Sequence, residues 1–127
     1  MEFIRADTVT RLFNPGAISS QLLSPENSRS ERITITRVTL EPGARNQPHR
    51  HADSEQIWVA LRGSGHLLLE GGQTMPFAAG DVARFEDNEL HGFENTGTEV
   101  FEYLSVTSPP VNFRRAYRSA SAPPREL

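Results

Sequence analysis

From residue 33 to residue 107 the chain divides into short runs rich in β-branched and aromatic residues. Roughly every ten residues a turn-former interrupts them. Ile33–Leu40, Gln56–Arg62, His66–Glu70, Thr74–Ala78, Val82–Phe85, His91–Glu94 and Glu99–Thr107 each predict a strand. Between them lie Glu41-Pro42-Gly43, Gly63-Ser64-Gly65, Gly71-Gly72, Gly80-Asp81 and Asn95-Thr96-Gly97, and Pro109-Pro110 closes the series. The Gly-Gly pair between two extended runs is a hairpin signal. No helical period competes anywhere, so the chain is expected to be all-β, a sandwich or a barrel.

Residues 1–32 are less patterned. Val9–Phe13 and Ile18–Leu23 read as strands about the turn Asn14-Pro15-Gly16, and Ser24–Arg32 reads as a loop. Residues 108–127 read as a tail, small, polar and mobile from Ser119 onward. With 127 residues, a single domain is expected.

The residue inventory narrows the chemistry. There is no Cys, which removes thiolate nucleophiles, thiolate ligands and disulfides. Every basic residue is Arg, which removes Schiff-base chemistry. The net charge of -3 offers no basic footprint for nucleic acid or an anionic membrane. The N-terminus lacks a basic segment followed by an apolar run, and no apolar run approaches a membrane span. A soluble cytoplasmic protein is the expectation. Arg114, Arg115 and Arg118 form a basic cluster that reads as a solvated face or a subunit contact rather than an anion site.

Three of the four histidines fall in two places. His49 and His51 are two apart, so in extended backbone both rings face the same side. Gln56 follows at the head of the next apolar strand. His91 opens a strand after a loop. His66 stands on another strand and reads as an ordinary surface or pocket-wall histidine.

These positions resemble the cupin superfamily. Its first motif is Gly, five residues, His-x-His, three or four residues, Glu, six residues, Gly. Here Gly43, five residues, His49-Arg50-His51, four residues, Gln56, six residues and Gly63 stand in that order. Its second motif is Gly, five residues, Pro-x-Gly, two residues, His, three residues, Asn. Here it reads Gly80, five residues, Glu86-Asp87-Asn88, two residues, His91, three residues, Asn95. The resemblance implies a double-stranded β-helix jelly-roll barrel over residues 33–107. It also implies a metal site at His49, His51, Gln56 and His91. Gln56 stands where the family has Glu, with Glu55 as the rival ligand. Asn88 stands where the family has Gly, and tolerates positive φ.

Three imidazoles and an amide oxygen suit one divalent transition metal, Fe, Mn, Ni, Co or Zn. The competing reading is a structural or degenerate, empty site. Strand parity turns Trp58 and Ala60 inward with Gln56, and Phe93 inward with His91. Trp58, Phe93 and Tyr103 are therefore candidates for a substrate pocket, with plain core as the alternative. Arg45, Arg62 and Arg84 are candidate carboxylate partners or solvated residues. The resemblance implies a metal-dependent isomerase, lyase or dioxygenase acting on a small oxo/hydroxy or carboxylate-bearing molecule such as a sugar acid. The alternative is a non-catalytic binding or sensing protein. No acid or base is assigned. Exposed sheet edges and the family's habit favour a homodimer.

Overall fold

The computed structural model describes residues 1–121. The period-2 patterning closes into two antiparallel sheets. The strands are β1 (Arg11–Asn14), β2 (Ala17–Leu23), β3 (Thr34–Leu40), β4 (Arg45–His49), β5 (Glu55–Arg62), β6 (Ser64–Leu68), β7 (Thr74–Ala78), β8 (Val82–Phe85), β9 (His91–Glu94), β10 (Phe101–Ser108) and β11 (Ser119–Ser121). One sheet has the order β11-β1-β2-β3-β10-β5-β8 and the other β4-β9-β6-β7. This is the expected double-stranded β-helix.

Alternation decides which residues meet. Gln56, Trp58 and Ala60 on β5 are buried, as are Phe101, Tyr103, Ser105 and Thr107 on β10. Leu67, Phe77 and Phe93 enter the same core from the second sheet. Burying each large apolar side chain contributes about 1.5–3 kcal/mol, so the aromatic layer is the main glue between the sheets. Phe93 stacks on Phe101 with centroids 4.0 Å apart.

Two glycines are dictated by this packing. Gly63 sits at φ 82°, and a Cβ there would lie 2.8 Å from the Val100 carbonyl oxygen. Gly65 is buried on β6, where a Cβ would overlap the Phe93 ring and the Glu94 carbonyl. Asn88 adopts φ 63°, the left-handed turn conformation expected of it.

Two elements depart from expectation. Arg45–His49 forms a full strand although it is polar and contains Pro48. As β4 is the outer strand of its sheet, a proline there is tolerated. The tail does not become irregular at Ser119: Ser119–Ser121 pairs with β1, Leu12 opposite Ala120. Pairing to an edge strand supplies hydrogen bonds that apolar patterning does not announce. The remainder of the tail expectation, residues 122–127, lies outside the described residues. No helix among those described is long and apolar enough to cross a membrane.

Candidate metal centre

Three separate strands bring the four candidate residues together. His49 ends β4 and lies opposite His91, the first residue of β9. His51 follows β4 by one residue beyond Arg50, and Gln56 lies near the start of β5. The three imidazoles stand 4.5–5.4 Å apart by centroid, and their ligand atoms all lie within 4.8 Å of one another.

Hydrogen bonds define the tautomers. A carbonyl only accepts, so His49 Nδ1–H donates to the Gln47 carbonyl at 2.7 Å and His91 Nδ1–H to the Glu89 carbonyl at 2.8 Å. Each bond turns a bare Nε2 lone pair away from the backbone. His51 Nε2 is buried with no partner among the described residues. Burial disfavours the charged ring in all three. It lowers His49, and it lowers His51 and His91 to about 4, with neighbouring histidines adding to the effect for those two. At neutral pH these are uncharged rings, the form that binds metals.

Gln56 completes the set. Its Oε1 accepts from the Trp58 indole N–H at 2.8 Å, and its Nε2 donates to Thr107 Oγ1 at 2.8 Å. Oε1 also lies 2.9 Å from His91 Nε2. With the His91 proton on Nδ1, that contact sets two lone pairs face to face. Reversing the amide would let –NH₂ donate to His91 but would set it against the indole N–H, so one of the two contacts stays unsatisfied in either orientation. A shared cation does relieve it: neighbouring ligand atoms at about 2.1 Å from one ion lie about 3 Å apart. The unpartnered His51 Nε2 has the same need. The residues present therefore fit a metal ion.

Glu55 points the other way. It lies on the outer face, its carboxylate 3.1 Å from Arg84, while Gln56 is buried.

A cavity of about 250 Å³ opens against this cluster. Trp58 and Tyr103 line it, as does Arg45. Phe93 does not: its strand parity is inward as expected, but its ring is consumed by packing on Phe101, Phe77 and Tyr103. Arg45, Arg62 and Arg84 each face a carboxylate, Glu94, Glu99 and Glu55 respectively. His66 lies elsewhere, bonded to Thr96.

Other wall residues went unread in the sequence. Thr36 and Ser105, cross-strand neighbours on β3 and β10, place their side chains on the cavity wall. Parity on those strands contained that information. Phe113 and Tyr117, which close another side, had no signal, because they lie beyond β10 in and next to a single 3-10 turn, Phe113–Ala116, too short to show a period. Arg114 pairs with Glu26 at 2.6 Å, so part of the basic cluster serves to tether this segment.

A family model described as a cupin domain matches residues 36–107. The oxalate-binding protein of Thermotoga maritima is 33% identical over 68% of this chain and 71% of its own length. A crystal structure from Thermotoga maritima, described as a predicted oxalate decarboxylase, superposes with TM-score 0.73 at 27% identity, covering 85% of this chain and 99% of that one. A sugar phosphate isomerase from a cupin superfamily, from Silicibacter pomeroyi, superposes with TM-score 0.69 at 20% identity, covering 84% and 75%. This last likeness is one of fold.

Proposed function

The chain belongs to the cupin family, and from that premise we propose that His49, His51, Gln56 and His91 together hold one divalent transition metal and that the protein is a metal-dependent enzyme. The substrate is a small molecule bearing a carboxylate or an oxo/hydroxy pair, such as a sugar acid, and the reaction is of isomerase, lyase or dioxygenase type. The observation that carries the metal assignment is the 2.9 Å contact between Gln56 Oε1 and a neutral His91 Nε2, two acceptors that need a cation.

The donor set is uncharged, so a bound dication keeps its full charge and attracts an anionic or oxo ligand. When bound, the ion acts as a Lewis acid on such an oxygen. The chain's own residues shape the rest. Trp58 contributes an apolar part of the cavity lining. Thr36 and Ser105 line the cavity and bring hydroxyls to it. They suit a hydroxylated ligand body. No Asp or Glu is among the described residues lining the cavity. The tyrosines can instead serve as hydrogen-bond donors to a ligand. Tyr103 accepts from Asn46 Nδ2 at 2.8 Å and keeps its own O–H free, and burial raises both Tyr103 and Tyr117 so that each stays protonated.

A second reading has its own support: the Thermotoga maritima relative is named for binding oxalate, which favours a non-catalytic carboxylate-binding protein. Two measurements separate the cases. Elemental analysis of the purified protein and of His91→Ala tests the metal; equal, sub-stoichiometric contents in both would end that assignment. A metal-loaded protein inert toward sugar acids, diketones, flavonols and phosphosugars would leave the binding reading.

Assembly as a homodimer belongs to the same proposal. Leu61 and Val82 are exposed on the outer face of the larger sheet, where a partner would cover them.

A further inference from the structure

The Gln56 amide is held at both ends by groups that are not interchangeable. The Trp58 indole N–H can only donate, so it selects the amide oxygen. Thr107 Oγ1, 2.8 Å from Nε2, takes the nitrogen. Neither partner is free to move. Trp58 is 1% exposed and wedged among Phe85, His91 and Tyr103, at centroid distances of 5.0, 5.4 and 4.4 Å. Thr107 is equally buried on β10, directly opposite Gln56 in the strand register.

An amide is an ambiguous ligand. Its oxygen offers lone pairs and its –NH₂ offers none, and a half-turn about the last side-chain bond exchanges them. A carboxylate has no such ambiguity. A site built on Gln therefore needs a device that a site built on Glu does not. We infer that Trp58 and Thr107 are positioning residues that lock the Gln56 amide with its oxygen toward the histidine cluster, and so make a neutral fourth ligand workable here. The inference rests on the metal centre proposed above and concerns only how this chain prepares it.

The lock predicts a specific dependence between positions. In the Gln56→Glu protein either carboxylate oxygen can face the cluster. The Thr107 hydroxyl can then rotate to donate, and the indole N–H still has an acceptor. Removing the indole N–H should therefore harm the Gln site and spare the Glu site. Ordinary loss of packing would harm both alike.

Co²⁺ alone is the probe, with affinity read by calorimetric titration and coordination by the visible absorption of the bound ion. Trp58→Phe and Thr107→Val in the natural background are expected to weaken Co²⁺ binding about tenfold or more, the usual cost of losing an orienting partner. Thr107→Ser, which keeps the hydroxyl, should bind normally. In the Gln56→Glu background, Trp58→Phe and Thr107→Val should each change affinity less than about threefold. Equal losses in both backgrounds, or no loss in the natural one, would overturn the lock. Should Trp58→Phe not fold, Thr107→Val against Thr107→Ser decides the matter, since Thr107→Val removes the hydroxyl at nearly constant volume whereas Thr107→Ser keeps the hydroxyl and loses only a methyl. If the unaltered protein itself binds no Co²⁺, the metal centre fails first, and the lock with it.

Discussion

Phe113 stands edge-on against His51, ring centroids 5.6 Å apart, so a segment beyond the last barrel strand closes one side of the cavity. That segment is tied down by polar contacts at its rim. Arg114 makes two bonds to the Glu26 carboxylate, and Asn14 Nδ2 donates to the Ala116 carbonyl.

Loosening the tether should therefore affect access more than stability. Both members of the Arg114–Glu26 pair are more than a third exposed, so Glu26→Gln is expected to cost less than about 1 kcal/mol in urea unfolding. The same variant should be cleaved severalfold faster by protease between residues 112 and 118. An unchanged cleavage rate would mean that the tether does not hold the segment.

The metal-free protein should lose stability as it is acidified. His51 and His91 sit at about 4 in the fold against an ordinary 6.5, so between those values the unfolded chain binds protons that the fold refuses. Their contribution is complete above about pH 6.5 and declines as pH falls toward 4. Urea midpoints measured across that window should drop with falling pH, and less steeply in His51→Gln. Midpoints independent of pH from 7 to 4.5 would contradict the depressed values.

Gly65→Ala is expected to destabilise the protein by about 1–3 kcal/mol, the cost of overpacking a filled core. The added methyl must displace the Phe93 ring or the Glu94 backbone. Chemical denaturation checks it. A near-neutral result would show that β6 and β9 can separate without cost.

Glu55→Ala should leave metal content unchanged, since that carboxylate is engaged with Arg84 on the outer face. Gln56→Ala should lower metal affinity by about tenfold or more. Elemental analysis after dialysis distinguishes them, and the reverse ranking would move the ligand to Glu55.

Light scattering at micromolar concentration should give twice the chain mass. A value of 14.2 kDa would refute the dimer.

Much of this protein follows from local patterning alone. The alternation in Gln56–Ala60 fixes which side chains face inward, because successive residues of a strand must point to opposite sides. Gly63 and Asn88 mark turns because few residues accept positive φ. His49 and His51, two apart, share a face because a one-residue slip of register would turn both away, and the resemblance to the cupin motifs joined His91 to them.

Tertiary structure decided the rest. Whether an inward aromatic lines a cavity or fills the core depends on what stands across from it. Trp58, though buried, borders the cavity, whereas Phe93 meets Phe101. The orientation of the Gln56 amide depends on Thr107, brought to it by the pairing of β5 with β10. The closing wall at Phe113 and Tyr117 depends on a tether to Glu26 and Asn14, far away in the chain. Periodicity reports a residue's own strand and face. Contacts between distant strands are set by register and side-chain volume, and those exist only once the sheets have closed.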